Sequence, residues 1–118
     1  MTRTSLAVAA AVAIIAVALA APAGAATPKL AATVGPAFTI SLKKAGKKVI
    51  TLKPGKYTVA VSDKSDFHNF HLKGPGVNKL TSVSFVGSKT WTVTLKKGKY
   101  TYVCDPHATM MKGAFIVK

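Results

Sequence analysis

From Phe38 to the end of the chain, apolar and polar residues alternate with a period of two. Val, Ile, Thr, Tyr and Phe are frequent in this region, and short turns rich in Gly, Pro, Ser or Asp interrupt it. Alternation of this kind is typical of strands that bury one face. We predict strands near residues 38–42, 48–52, 56–62, 67–72, 81–86, 89–95, 99–104 and 113–117. The pattern therefore predicts an all-β Greek-key sandwich of about eight strands.

The N-terminal segment has the pattern of a secretory signal peptide, which we assign to residues 1–25. Arg3 supplies a positive start, residues 6–21 form an almost unbroken apolar run, and small residues follow. We predict cleavage after Ala25 or Ala26. An uncleaved anchor is the alternative, but the run is shorter than the ~20 residues of a spanning helix. The protein is thus expected to be exported, to the periplasm, the medium or the cell surface.

The remaining chain is long enough for a single domain. Residues 26–36 contain two prolines and are predicted to be a lead-in segment. Residues 37–118 are predicted to form the folded domain, with an apolar core of modest size.

Charge is strongly unbalanced, because the chain has a formal net charge of +14 at pH 7. After residue 26 it contains sixteen Lys, no Arg, no Glu and only Asp63, Asp66 and Asp105. Such an excess favours acidic partners or an anionic cell surface. Nucleic acid is not expected, since the lysines lie in scattered turns, with no basic helix and no Arg for base contacts. We expect a monomer.

The sequence has one cysteine, Cys104, so no internal disulfide can form. Cys104 lies at the end of a predicted strand. Alternation places Tyr100, Tyr102 and Cys104 on one face, which the aromatic residues mark as the core face. The thiol therefore points inward. Pro106 interrupts the strand and returns His107 to the vicinity of the thiol, with methionines just beyond.

A second histidine is available upstream. In the predicted strand 67–72, His68 shares a face with Phe70 and Leu72, so it is expected to point inward. His71 faces away and is predicted to lie at the surface or to brace a loop. Two His, one Cys and a weakly bound Met are the donor set of blue-copper electron-transfer sites. Zinc accepts the same donors.

These residues resemble a known family. The pair His68-Asn69 and the stretch 102–113 are similar to the cupredoxins of the plastocyanin, pseudoazurin and amicyanin type, and the similarity extends roughly over residues 38–118. The resemblance implies that His68, Cys104 and His107 are copper ligands. It also implies that Asn69 braces the loops around the metal and donates its backbone N–H to the Cys sulfur.

The resemblance also implies an axial methionine, for which two neighbours compete. In the family this Met commonly opens a Met-x-Gly motif, here Met111-Lys112-Gly113, whereas Met110 matches the shorter spacing seen in amicyanin. We choose Met111 because it keeps the register of the last strand, and Met110 is the alternative. Asp105 is expected either to hydrogen-bond the loop that carries Asn69 or to be an exposed turn residue.

The implied function is transfer of single electrons by one copper ion, and not catalysis. Around His107, the residues Ala108, Thr109 and Met110 are expected to form an apolar docking patch. Lysines nearby would steer a redox partner with an acidic docking surface. A copper-buffering or copper-delivery protein with the same ligands is the alternative. A multicopper oxidase or nitrite reductase domain is disfavoured because the chain has three His, and a metal-free domain because the ligand set is intact.

Overall fold

A computed structural model describes residues 9–15 and 26–118 of the chain. Apart from residues 9–15, which have no regular secondary structure, the predicted signal peptide lies outside the described residues. Among the residues that are described, no helix is long and apolar enough to span a membrane.

From residue 26 onward the described chain forms ten strands and one short 3₁₀ turn. The strands are β1 (Lys29–Val34), β2 (Ile40–Lys44), β3 (Lys47–Lys48), β4 (Thr51–Leu52), β5 (Gly55–Asp63), β6 (His71–Gly74), β7 (Val77–Leu80), β8 (Gly87–Leu95), β9 (Gly98–Val103) and β10 (Lys112–Val117). The 3₁₀ turn, Asp105–His107, lies between β9 and β10.

The strands form two five-stranded sheets that pack as a sandwich, which confirms the predicted fold class. One sheet has the order β3-β2-β1-β5-β8 and the other the order β4-β10-β9-β6-β7. The pairs β1–β5 and β4–β10 are parallel, and the other pairs are antiparallel. Alternate residues of the long strands fill the space between the sheets, among them Tyr57, Val59, Val61, Tyr100, Tyr102, Phe115 and Val117. Burial of this apolar surface is the main contribution to stability.

The segment predicted to be a lead-in is a strand of the sandwich. Within it, β1 lies between β2 and β5, and Leu30, Ala32 and Val34 are fully buried. The lead-in prediction was therefore wrong for these residues. The two prolines, Pro28 and Pro36, flank this strand rather than interrupt it, so neither removes a hydrogen bond from its ladder.

Two predicted strands are displaced. The predicted strand 67–72 begins only at His71, and the predicted strand 81–86 is a loop that follows β7. Two hydrogen bonds between Phe70 and Thr81 take the place of a strand ladder here. The Phe70 N–H donates to the Thr81 hydroxyl (2.9 Å), and the Thr81 N–H donates to the Phe70 carbonyl (3.0 Å). The two loops are thereby joined without a regular strand pair.

Strand directions define two ends of the sandwich. At the first, which we name the Cys104 end, β9 finishes and β10 starts, and the connections 34–40, 63–71, 80–87 and 103–112 lie together. At the other, which we name the distal end, lie the connections 44–47, 52–55, 74–77 and 95–98. Each end thus gathers loops from both sheets.

Candidate metal centre

Three side chains that could hold a metal converge at the Cys104 end: His68, Cys104 and His107. The Nδ1 atoms of the two histidines lie 3.1 Å apart. The Cys104 Sγ lies 3.6 Å from Nδ1 of His68 and 3.5 Å from Nδ1 of His107. His68 and Cys104 are fully buried, whereas His107 is half-buried. The structure therefore brings together the three ligands predicted from the sequence.

The size of this donor triangle suits a metal ion. A point equidistant from its three corners lies about 2.0 Å from each, close to the ~2.0–2.3 Å of metal–imidazole and metal–thiolate bonds. One thiolate with two imidazoles in a trigonal arrangement is the donor set that favours copper. The residues present thus fit a single copper ion.

Cys104 and His107 are positioned by a closed loop at the end of β9. The Cys104 N–H donates to the Met111 carbonyl (3.0 Å), and the His107 N–H donates to the Cys104 carbonyl (3.0 Å). The Met111 N–H in turn donates to the His107 carbonyl (2.8 Å). Pro106 lies in the 3₁₀ turn, where its fixed φ and missing N–H are tolerated. These bonds fix the ligand loop by its own backbone.

His68 is oriented by a backbone carbonyl of the 34–40 connection. Its Nε2 lies 2.7 Å from the carbonyl oxygen of Ala37. Because a carbonyl can only accept, Nε2 carries the proton, and Nδ1 presents its lone pair to the site. A hydrogen bond of this kind fixes both the tautomer and the ring orientation of a ligating histidine.

The two methionines differ in burial. Met111 is fully buried beside the ligand loop, whereas Met110 is 63% exposed. A buried thioether is available to an ion inside the sandwich, and an exposed one is not. Burial therefore favours Met111 over Met110, and its assignment as the axial ligand stays a prediction.

Asn69 and Asp105 link the two ligand-bearing loops. The Asn69 side-chain amide donates to the Asp105 carboxylate (2.8 Å), and its carbonyl accepts the Asp105 N–H (2.7 Å). The same amide donates to the Thr81 carbonyl (3.2 Å). Asn69 thus joins the two loops, and Asp105 is both hydrogen-bonded to Asn69 and exposed at the surface. The contact from the Asn69 N–H to the sulfur stays a prediction.

His71 completes this network on the outer side. Its Nδ1 lies 2.9 Å from the Asp105 carboxylate and its Nε2 lies 2.6 Å from the side-chain oxygen of Asn78. It therefore braces a loop, which is one of the two roles predicted for it from the sequence. The pKa of Asp105 is lowered overall. Partial burial acts to raise it, but the hydrogen bonds from Asn69 and His71 and the charges of His71 and Lys73 have the larger, opposite effect.

With this geometry established, comparison with known proteins decides the family. A family model described as copper binding proteins of the plastocyanin/azurin family matches residues 39–118. The chain belongs to this family. The resemblance inferred from the sequence is thereby confirmed, and the cofactor of this cupredoxin is copper.

Solved structures of rusticyanin are similar to this cupredoxin. Rusticyanin from Thiobacillus ferrooxidans is 30% identical, with a TM-score of 0.55, and the match covers 78% of this chain and 77% of that one. Reduced rusticyanin is 26% identical, with a TM-score of 0.56, covering 78% and 79%. A rusticyanin variant is also 26% identical, with a TM-score of 0.58 and 78% coverage of each chain. A search of curated proteins gives no match.

Two aromatic residues beside the site were missed by sequence reasoning. The ring of Phe38 contacts that of His107 edge to face, with centroids 5.0 Å apart, and the ring of Phe67 lies 4.2 Å from that of His68. Both phenylalanines are substantially exposed. Phe67 directly precedes His68 in the sequence, which was the available signal, whereas Phe38 approaches only because the 34–40 connection lies at the same end.

Sequence reasoning also missed Asp63, a buried carboxyl at the Cys104 end of this cupredoxin. Its side chain accepts the Ser65 N–H (3.1 Å) and the Thr81 hydroxyl (3.3 Å). Burial raises the pKa of Asp63, and this effect outweighs the hydrogen bonds from Ser65 and Thr81 and the charge of His68, which lower it. Asp63 thus anchors the loop that carries His68 to the 80–87 connection.

Proposed function

We propose that this cupredoxin carries single electrons between partner proteins outside the cytoplasm. The observation that carries the proposal is the compact triangle of His68, Cys104 and His107, because one thiolate and two imidazoles bind copper in both of its common oxidation states. When bound, copper supplies the one-electron couple Cu(I)/Cu(II). No substrate has to enter the site in such a reaction.

Pre-organisation of the donors supports a carrier role. The Ala37 carbonyl fixes the ring of His68, and the hydrogen bonds between residues 104 and 111 fix the ligand loop. The pair Asn69–Asp105 then holds the two loops together. Donors that hardly move when the charge of the ion changes keep the reorganisation energy of each transfer low.

An exposed apolar surface around His107 supports docking at the Cys104 end. The sequence-based docking patch, Ala108 to Met110, is exposed beside His107. Phe38 and Phe67 extend this surface over the two histidine rings. Because His107 is half-buried among these side chains, it is the ligand nearest to a docked partner. The apolar surface is thus the proposed electron port.

Fewer lysines lie near this port than at the opposite end of the sandwich. All three aspartates lie at the Cys104 end, and most lysines lie at the distal end. The sequence shows which lysines occupy turns, but strand direction decides at which end each turn lies. We therefore propose that partners recognise the port mainly through its apolar side chains, rather than through an acidic surface of their own.

Export is supported by the signal-peptide pattern of residues 1–25 and by the choice of cofactor ligands. A single buried cysteine used as a metal ligand is compatible with an oxidising compartment, because it has no second thiol to pair with. The proposed site of action is the periplasm, the medium or the cell surface.

The decisive experiment is an absorption spectrum of the Cu(II)-loaded protein, with stopped-flow measurement of its reduction and reoxidation. An intense thiolate-to-copper band in the visible region is expected in the wild type and not in Cys104→Ser. Rapid cycling in both directions without loss of copper would support the carrier. A colourless wild type would refute the blue-copper site, and slow cycling with ready transfer of copper to a chelator would favour copper delivery instead.

A further inference from the structure

The charges of this protein are separated along the strand direction of the sandwich. Eleven of the sixteen lysines that follow residue 26 lie at the distal end: Lys29, Lys43, Lys44, Lys47, Lys48, Lys53, Lys56, Lys96, Lys97, Lys99 and Lys118. The other five, Lys64, Lys73, Lys79, Lys89 and Lys112, lie nearer to the Cys104 end or midway. Since all three aspartates lie at the Cys104 end, the molecule has a large electric dipole directed along its strands.

The lysines of the distal end are available to an external partner. All eleven are exposed, and in the described part of the chain the one salt bridge joins His71 to Asp105, so none of them is paired with a carboxylate. Five of them line an open cleft between the sheets: Lys44, Lys47, Lys48, Lys53 and Lys56. A cluster of like charges without internal partners is costly to the isolated fold and is relieved by an anionic surface.

Apolar side chains accompany this charge. Ile50 is 62% exposed and Ile116 is 41% exposed, and the two are adjacent because the Ile116 N–H donates to the Ile50 carbonyl (3.0 Å). Ile50 also lines the lysine-rich cleft. Lysines around exposed aliphatic residues match the interface of an anionic bilayer, where headgroups attract the charges and the acyl boundary accepts the apolar groups.

The chain enters the folded domain at the distal end. β1 begins at Lys29, at the distal end, and the apolar run of residues 6–21 precedes it by only a few residues in the sequence. A retained apolar segment would therefore hold this end against a membrane, and a cleaved one would leave the lysines as the attachment. Both cases place the same surface next to lipid.

We propose that the distal end binds the anionic phospholipid headgroups of a bilayer, and that the copper site consequently faces away from the membrane. The nine residues of β5 connect the two ends, which places the site about 30 Å from the lipid surface. The electron port is then presented to soluble partners while the protein remains attached. Lipid binding itself requires neither copper nor electron transfer, so it stands or falls separately from the proposed function.

The experiment is cosedimentation with lipid vesicles, using residues 26–118, which contain both sheets, the core and the whole metal site. The distal variant carries Lys47→Gln, Lys48→Gln, Lys53→Gln and Lys56→Gln. The matched control carries Lys64→Gln, Lys79→Gln, Lys89→Gln and Lys112→Gln, which removes the same charge from elsewhere. Retained near-ultraviolet circular dichroism would show that each variant is folded.

We expect the wild type to bind vesicles containing phosphatidylglycerol and not pure phosphatidylcholine vesicles. Loss of four lysines at the distal end should weaken binding on the order of several hundredfold, because each contributes roughly fivefold near an anionic surface. The control should weaken it less than fivefold. Equal losses in both variants, equal binding to both lipids, or tighter binding to a soluble polyanion such as heparin than to vesicles would each overturn the proposal.

Orientation is tested on the copper-loaded protein. If the Cys104 end faces away from lipid, a soluble reductant should reduce the vesicle-bound protein within twofold of the rate for the free protein. A tenfold or greater slowing on binding would show that the copper end faces the bilayer and would overturn the proposed orientation.

Discussion

Asn69 and Asp105 form a reciprocal pair of hydrogen bonds between the two loops that supply the ligands. The Asp105 N–H donates to the Asn69 side-chain oxygen at 2.7 Å, and the Asn69 amide donates to the Asp105 carboxylate at 2.8 Å. One loop carries His68 and the other carries Cys104, so the relative position of these two ligands depends on this pair. The residues that directly follow His68 and Cys104 therefore fix the positions of these two ligands relative to each other.

Replacing Asn69 with Ala should destabilise the copper-free protein by about 2–3 kcal/mol, because both hydrogen bonds of the pair are lost and Asn69 itself is buried. Urea unfolding measures the change. Asn78→Ala, which removes only the outer contact to His71, is the control and should cost less than about 1 kcal/mol. In a double-mutant cycle with Asp105→Ala the effects should not add, and additive effects would argue against the pair.

Met111→Leu should raise the reduction potential markedly, because loss of an axial thioether favours Cu(I). Met110→Leu should leave the potential nearly unchanged, since Met110 is exposed and Met111 is buried beside the ligand loop. Direct electrochemistry of both copper-loaded variants gives the comparison. The opposite order would assign the axial position to Met110.

Alternation predicted the buried face of the Cys104 strand because a regular strand has a strict period of two. Tyr100, Tyr102 and Cys104 are all buried, as predicted. His68 and Phe70 are buried as well, but they precede β6 and are not part of a strand. The neighbouring Asn69, which strict alternation would place on the opposite face, is also buried. The prediction for His68 was thus right although its structural reason was not.

Features that depend on contacts between distant segments could not be predicted in this way. The Ala37 carbonyl that orients His68 and the ring of Phe38 over His107 come from a connection more than thirty residues away. The end of the sandwich at which each lysine lies also depends on contacts between distant segments. A sequence shows that a lysine lies in a turn, whereas the pairing of strands determines which turns share an end of the sandwich.

Asp63→Asn should change how stability depends on pH. Burial raises the pKa of Asp63 in the folded state, so the protonated carboxyl favours folding. This contribution to the free energy of unfolding is present below the unfolded pKa and is lost as pH rises through the folded pKa. The amide does not titrate and keeps an oxygen for the Ser65 N–H. Urea unfolding of the copper-free proteins between pH 3 and 7 should therefore show the variant gaining stability relative to wild type as pH rises. A constant difference across this range would contradict the raised pKa.

Gly113→Ala should destabilise the protein by about 3 kcal/mol and should disturb the site. Gly113 pairs with Tyr102 across β10 and β9, and a Cβ at this position would overlap the Tyr102 ring. The ring is held in the core, so the start of β10 has to shift, and Met111 lies two residues before it. Urea unfolding and the visible spectrum of the copper-loaded variant measure the two effects.

Gly46→Ala is the matched control for this substitution. Gly46 lies in the β2–β3 turn with a φ of 77°, and a Cβ there meets no atom within 4 Å. Only backbone strain, about 1–2 kcal/mol, is expected, with no change in the spectrum. Tyr102→Leu in the Gly113→Ala background should restore part of the native spectrum by removing the overlapping ring. If both glycine variants lose the same stability and keep the same spectrum, the Tyr102 ring is not what requires glycine at position 113.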